Sequence, residues 1–163
     1  MGVSGCGKST LGAALAAHWR VPFYEGDDYH PPTNIERMQR GQPLEDCHRL
    51  PWLHNLREII QKHLDQKSSA VISCSGLKRI YRELLGRESN LWYLWLDLPQ
   101  PLLSTRLQNR HGHFMPASLL HSQLATLEAP TPDEQFLQLD ASQPTPLMLA
   151  RIDQLLKPVG SPL

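Results

Sequence analysis

A three-layer α/β domain with a mainly parallel sheet is the fold this sequence predicts, and three observations carry that expectation. Short apolar runs alternate with stretches of helical periodicity along nearly the whole 163-residue chain, the pattern of strands joined by crossover helices. Those runs are apolar throughout, as strands buried on both faces of a sheet must be. Residues 2–9 read Gly-Val-Ser-Gly-Cys-Gly-Lys-Ser, a complete GxxxxGK[ST] phosphate loop, which belongs between a buried strand and a helix.

The loop leads into a helix to about His18, with Leu11, Ala14 and Leu15 on one apolar face. Residues 21–24 form a short strand ending in Glu25-Gly26-Asp27-Asp28, which sets carboxylates at a strand tip. Thr33 and Glu36 have capping-box spacing and Gly41 suits a helix C-terminus, so a short helix is expected over 34–40. From 51 to 65, Leu53, Leu56, Ile60 and Leu64 recur at helical intervals, with Pro51 in the first turn. Residues 70–74 and 91–96 read as buried strands, and 78–85 between them as a helix closed by Gly86. Helices over 101–109 and 116–127 flank a break at 110–114; a strand over 136–139 and a helix over 145–156 close the chain.

Composition bounds the rest. The length suits one well-cored domain, and no repeat or low-complexity linker divides it. Sixteen basic and sixteen acidic residues cancel, so no global field draws the chain to nucleic acid or an anionic membrane. The longest apolar run, 91–96, is far short of the roughly twenty residues that span a bilayer. Three cysteines without paired or metal-type spacing suggest reduced thiols and a cytoplasmic location. Trp52, Trp92 and Trp95 are expected to pack in the core or in a cleft wall.

Ligands of such sheets bind beyond the carboxyl ends of the strands. The octet, the acids at 25–28 and the Ser75-Gly76-Leu77-Lys78 segment all follow strands or the place where one is expected, so they converge on one cleft. Gly2, Gly5 and Gly7 allow the positive φ that wrapping a phosphate requires. The cradle comprises Gly2, Val3, Ser4, Gly5, Cys6, Gly7, Lys8, Ser9 and Thr10. Lys8 sets an ammonium against the β and γ phosphates, and the Ser9 hydroxyl ligates the bridging Mg²⁺. Cys6, near a helix N-terminus and Lys8, is either an activated thiol whose alkylation blocks ATP binding or simply a small residue in a tight loop. His111 and His113 lack a third ligand at a sensible spacing and are not read as a metal site.

Several further motifs accompany the loop: Glu-Gly-Asp-Asp-Tyr-His-Pro at 25–31, Asn34, Met38, Gly41-Gln42-Pro43-Leu44 with Asp46 and Arg49, and Pro51-Trp52-Leu53. Cys74-Ser75-Gly76-Leu77-Lys78 with Tyr81-Arg82, and Gly112-His113-Phe114 with Gln123 and Thr126-Leu127-Glu128, complete the set. From Met1 to about Glu134 the chain thereby resembles the gluconate kinases, small P-loop kinases related to shikimate kinase and the nucleoside monophosphate kinases. The resemblance implies a three-layer P-loop kinase fold and ATP- and Mg²⁺-dependent phosphorylation of D-gluconate to 6-phospho-D-gluconate, feeding the pentose phosphate pathway. It implies that Asp27 accepts the hydroxyl proton and that Glu25 supports Mg²⁺ through water. Arg49, Lys78, Arg82 and His30, with Asn34 and Gln123, would bind the sugar acid, which needs fixed cations and hydrogen-bonding groups. A helical lid around 105–127 would bring Arg106 and Arg110 toward the phosphates, and relatives imply a possible homodimer. A kinase for shikimate or another polyol acid is the enzymatic alternative; a shortened, inactive nucleotide-binding chain is the other.

In this fold the strand before the phosphate loop is central, and Met1 would be its last residue. The expectation is therefore a sheet whose first, central strand is missing from this chain, and a native protein that starts upstream of Met1. The buried side chains of such a strand are worth on the order of 8 kcal/mol, comparable with a whole domain's margin.

Overall fold

The computed structural model describes residues 1–86, 90–108 and 119–158. Helix α1 (Lys8–Trp19) starts where Gly7, at φ 102°, turns out of the phosphate loop, and the Leu11 amide donates the first helical bond to the Gly7 carbonyl at 3.0 Å. Arg20 ends it in the left-handed region, donating back to Ala17. Strand β1 (Phe23–Glu25) runs directly into a 3₁₀ turn, Gly26–Tyr29, that carries Asp27 and Asp28. Gly26 is required there because a Cβ would lie 2.0 Å from the Ser73 carbonyl oxygen.

Helix α2 (Pro32–Gln39) starts earlier than the Thr33–Glu36 spacing suggests. Pro31 and Pro32 preset the backbone at the cap and first position, which leaves Thr33 inside the helix. Helix α3 (Asp46–Asp65) likewise begins a turn before Pro51. The Glu45 amide donates to His48 Nδ1 at 3.1 Å, and this reciprocal cap fixes the start. Pro51 is therefore inside the helix, where it lacks the amide that would bond the Cys47 carbonyl.

Every described ladder is parallel. Strand β2 (Val71–Ser73) pairs with β1 in the register Phe23 to Val71 and Glu25 to Ser73. Strand β3 (Tyr93–Asp97) pairs with β4 (Phe136–Asp140), Tyr93 opposite Phe136 and Asp97 opposite Asp140. Among the described residues, only Met1 and Gly2 bridge these two pairs. The Met1 amine donates to the Leu94 carbonyl at 2.5 Å. The Leu96 amide donates to Met1 and the Gly2 amide to Ser75, each at 3.0 Å. Contacts on both sides make this gap two strand spacings wide, roughly 10 Å. Behind Met1 it opens into a cavity of about 690 Å³ walled by residues that include Leu15, Leu56, Ile60, Ile72, Leu91 and Leu94.

The layers follow the α/β expectation. Helix α4 is Arg79–Leu85 and α7 is Thr145–Asp153; α1 packs with α7, and α3 with α4. Leu15, Trp52, Leu53, Leu56, Leu77, Leu103 and Ile152 are almost wholly buried in one core. Helix α5 (Gln100–Gln108) and helix α6 (Leu120–Thr126) are the described parts of the expected lid. The break at 110–114 lies outside the described residues. Trp52 is core and the Trp95 ring packs near Phe136, whereas Trp92, 39% exposed, stands in the wall of the inter-strand cavity.

Candidate active site

A cleft of about 360 Å³ opens at the carboxyl ends of the strands. It is smaller than the inter-strand cavity, yet it alone gathers the chemistry that the sequence points to. On one wall lie Ser4 to Thr10. Gly2, Gly5 and Gly7 have φ of 139°, 85° and 102°, and a Cβ on Gly5 would sit 2.9 Å from Leu107. The loop's polar groups pair within the protein. Lys8 Nζ donates to the Val3 carbonyl at 3.0 Å. The buried Ser4 amide donates to Gln123 Oε1 at 2.6 Å, which ties α6 to the loop. Arg106, from α5, spans the cleft mouth and donates to the carbonyls of Cys6 at 3.4 Å and Ala141 at 2.9 Å.

Gly2 and Val3 shape this loop from behind and do not line the cleft; both are buried. Cys6 lines it, but its side chain turns inward at 1% exposure, with Sγ 2.9 Å from where a Gly2 Cβ would be. A buried thiol in that position is a packing group, so the tight-loop reading of Cys6 is the better supported one.

The opposite wall carries Asp27, His30 and Arg49. Arg49 is 9% exposed, and its Nε has no hydrogen-bond partner among the described residues. Burial pulls its guanidinium below the ordinary value, while Tyr81, Cys74 and Asp46 oppose that. A buried, incompletely bonded guanidinium is costly, and an anion in the cleft would relieve it. His30 stacks on the indole of Trp52, centroids 4.4 Å apart and 13° from parallel. Trp52 is itself fixed by donating to the Gly26 carbonyl at 2.7 Å.

Burial pushes His30 down to about 4; the Asp27 carboxylate pulls the other way and Arg49 adds to the depression. The unfolded imidazole therefore binds a proton that the folded one rejects between about pH 6.5 and 4. Stability is expected to fall by roughly 2–3 kcal/mol across that window as pH drops. Urea unfolding at stepped pH, compared with His30→Phe, isolates this contribution; identical slopes for both proteins would refute it.

Other expected site residues are placed elsewhere. Lys78 does not line the cleft: its ammonium is held by Asp46 at 2.6 and 2.9 Å, and Tyr81 donates to the same carboxylate at 2.5 Å. Lys78 and then Tyr81 hold Asp46 below the usual carboxylate range. Arg82 is 1% exposed and belongs to the core. It forms a bidentate pair with Glu134 at 2.5 and 2.9 Å and donates to the Gly76, Leu77 and Glu128 carbonyls. Asn34 is buried behind His30 and absent from the cleft lining. Glu25 is also off the cleft, accepting a hydrogen bond from the Ser73 hydroxyl. Arg110 lies outside the described residues.

Sequence reasoning overlooked the fourth side of the cleft. Ala141, Gln143, Thr145 and Met148 line it, from the turn after β4 and the start of α7. Their signal was positional: like the other walls, this turn follows a strand's carboxyl end.

The hydroxyl of Ser9 and the carboxylate of Asp27 share the cleft. These are hard oxygen donors of the kind that bind Mg²⁺ while leaving it several waters and substrate phosphates, so the donor set fits that ion.

Comparison with known proteins gives consistent results. The shikimate kinase family model matches residues 4–133. A gluconokinase of Gluconobacter oxydans is 44% identical over 153 residues, 93% of this chain and 86% of that protein. The thermosensitive gluconokinase of Escherichia coli is 44% identical over 136 residues, covering 83% and 73%. Among solved structures, a sugar kinase from Janibacter superposes with a TM-score of 0.88 at 46% identity, covering 94% of this chain and 90% of that one. A gluconokinase from Sinorhizobium meliloti superposes at 0.76 with 41% identity, covering 94% and 91%.

Proposed function

Because the chain belongs to the shikimate kinase family and, within it, to the gluconokinases, we propose that it transfers the γ-phosphoryl group of ATP to the terminal hydroxyl of D-gluconate. The products are 6-phospho-D-gluconate and ADP. The observation that carries this reading is the convergence of the phosphate loop, Asp27 and the incompletely bonded Arg49 guanidinium on one cleft.

In this scheme the amides from Gly5 to Thr10 cradle the nucleotide phosphates, and Lys8 leaves the Val3 carbonyl to face them. Arg49 takes the gluconate carboxylate, the bidentate geometry that guanidinium favours. Asp27 orients the terminal hydroxyl and accepts its proton as the oxygen bonds to the γ-phosphorus and the bond to the β-phosphate oxygen breaks. Lys8 and Arg106 balance the charge that spreads onto the transferring group. A Mg²⁺ held by the Ser9 hydroxyl would neutralise phosphate charge. The three cysteines are free thiols, which supports a cytoplasmic assignment; no described helix is long and apolar enough to cross a membrane.

The test is gluconate-dependent ADP release from MgATP. Turnover with shikimate or another polyol acid in place of gluconate would reassign the acceptor, and silence with every acceptor would refute a kinase. Arg49→Ala is expected to raise the gluconate KM about 10–100-fold, the worth of one charge-assisted contact, with the ATP KM unchanged. Asp27→Asn is expected to lower kcat about a hundredfold without loosening ATP. Equal losses toward both substrates would remove these two assignments.

A further inference from the structure

We propose that His30 presents a fixed Nε2–H donor to a hydroxyl oxygen of the acceptor substrate, and that Asn34 is the positioning residue that sets this tautomer. The inference rests on the acceptor reading above only for the identity of the hydroxyl; the tautomer stands by itself. The His48 backbone oxygen can only accept, and Asn34 Nδ2 lies 2.7 Å from it, which fixes the amide with its NH₂ on that side. The second proton of the same NH₂ points to His30 Nδ1 at 3.3 Å. Nδ1 must then accept, so the ring proton resides on Nε2.

The ring cannot easily escape this arrangement. Asn34 is 3% exposed and His30 8%. Trp52 clamps one face of the imidazole and is itself tied to Gly26. Among the described residues Nε2 has no hydrogen-bond partner, and His30 lines the cleft beside Asp27 and Arg49. A neutral donor set between an acid and a guanidinium suits a hydroxyl: it orients an oxygen without adding a second fixed charge to the site. Asn34 acts through His30 and touches no ligand.

Histidine ¹⁵N NMR of the ligand-free protein near neutral pH reads the tautomer directly. An Nε2–H ring at His30 is expected, giving way to a mixture in Asn34→Leu. An Nδ1–H or doubly protonated ring in the unmodified protein overturns the proposal, whatever the acceptor proves to be. Kinetics supply the second arm. His30→Gln, which keeps a donor near the Nε2 position, is expected to hold the acceptor KM within about threefold. His30→Phe, which keeps the stack and loses the donor, is expected to raise it about tenfold, with the ATP KM unmoved in both. Equal acceptor KM values for the two variants overturn the donor role. If gluconate is not turned over, titrating it against the His30 ¹⁵N signal separates the cases: a shifted signal upholds the donor contact, and an unmoved one refutes it while the tautomer result stands.

Discussion

Replacing Arg82 with methionine is expected to remove about 3–5 kcal/mol of stability, the typical consequence of stranding one member of a buried ion pair. For a chain of this length that lowers the melting temperature by roughly 10 °C. The Arg82 and Glu134 side chains are 1% and 8% exposed, so Glu134 would lose its paired cation and keep its bonds from Thr131, while three backbone carbonyls lost their donor. Arg82 beside Glu134 holds that carboxyl below its usual 4.5. This contribution is present above pH 4.5 and is lost as pH falls through the folded value. A double variant, Arg82→Met with Glu134→Leu, should recover much of the loss, because an apolar pair needs no charge compensation. Differential scanning calorimetry decides the matter. A melting temperature unchanged in Arg82→Met, with a raised gluconate KM instead, would return Arg82 to the substrate site.

Four apolar residues joined ahead of Met1 are expected to raise the melting temperature by a comparable amount. The gap between β2 and β3 is two strand spacings wide, and Met1 already bonds Leu94 and Leu96 on one side while Gly2 bonds Ser75 on the other. Among the described residues no strand pairs with the second edge of β2 or of β3. Alternation fixes what faces the gap. Val71 and Tyr93 donate away from it, to Pro22 and Gln135, so the backbone groups of Ile72 and Leu94 face into it. Burying four aliphatic side chains contributes about 8 kcal/mol, and ladder bonds add about 1 kcal/mol each. Ordering four residues opposes this by about 1.5–2 kcal/mol apiece, which leaves a net gain of roughly 4 kcal/mol. The extension also converts the Met1 amine, pushed down to about 6 by burial, into an amide suited to the same place. Charged residues in the same four positions should give no gain. A gain from both extensions alike would show that the gap is not a strand site.

The fold class was legible in the sequence because it rests on local information. A phosphate loop needs glycine at positive φ, a buried parallel strand needs a continuous apolar run, and a layer helix needs a 3.6-residue stripe; residues 2–9, 70–74 and 53–64 show these directly. Element starts were less legible where two local signals competed. At 31–36 paired prolines overrode a capping box, and at 45–51 a glutamate–histidine cap overrode a proline. The candidate site divided along the same line. Lys8, Ser9, Asp27, His30, Arg49, Arg106 and Gln123 meet at the cleft. They sit on loops at strand ends or on helices packed beside them, whose destination the topology dictates.

Local residue patterns dictate the kind of fold, the phosphate loop and the set of residues from which a site is drawn. Which cations face the cleft depends on long-range packing. Arg49, Lys78 and Arg82 are three cations in the sequence, yet of these Arg49 alone is left incompletely bonded at the cleft, while Lys78 pairs with Asp46 and Arg82 with Glu134. A guanidinium is structural or functional according to whether a carboxylate distant in sequence reaches it first. For Arg82 that partner lies fifty-two residues away, and only the packing of β4 beside β3 and of α4 against α3 brings the two together.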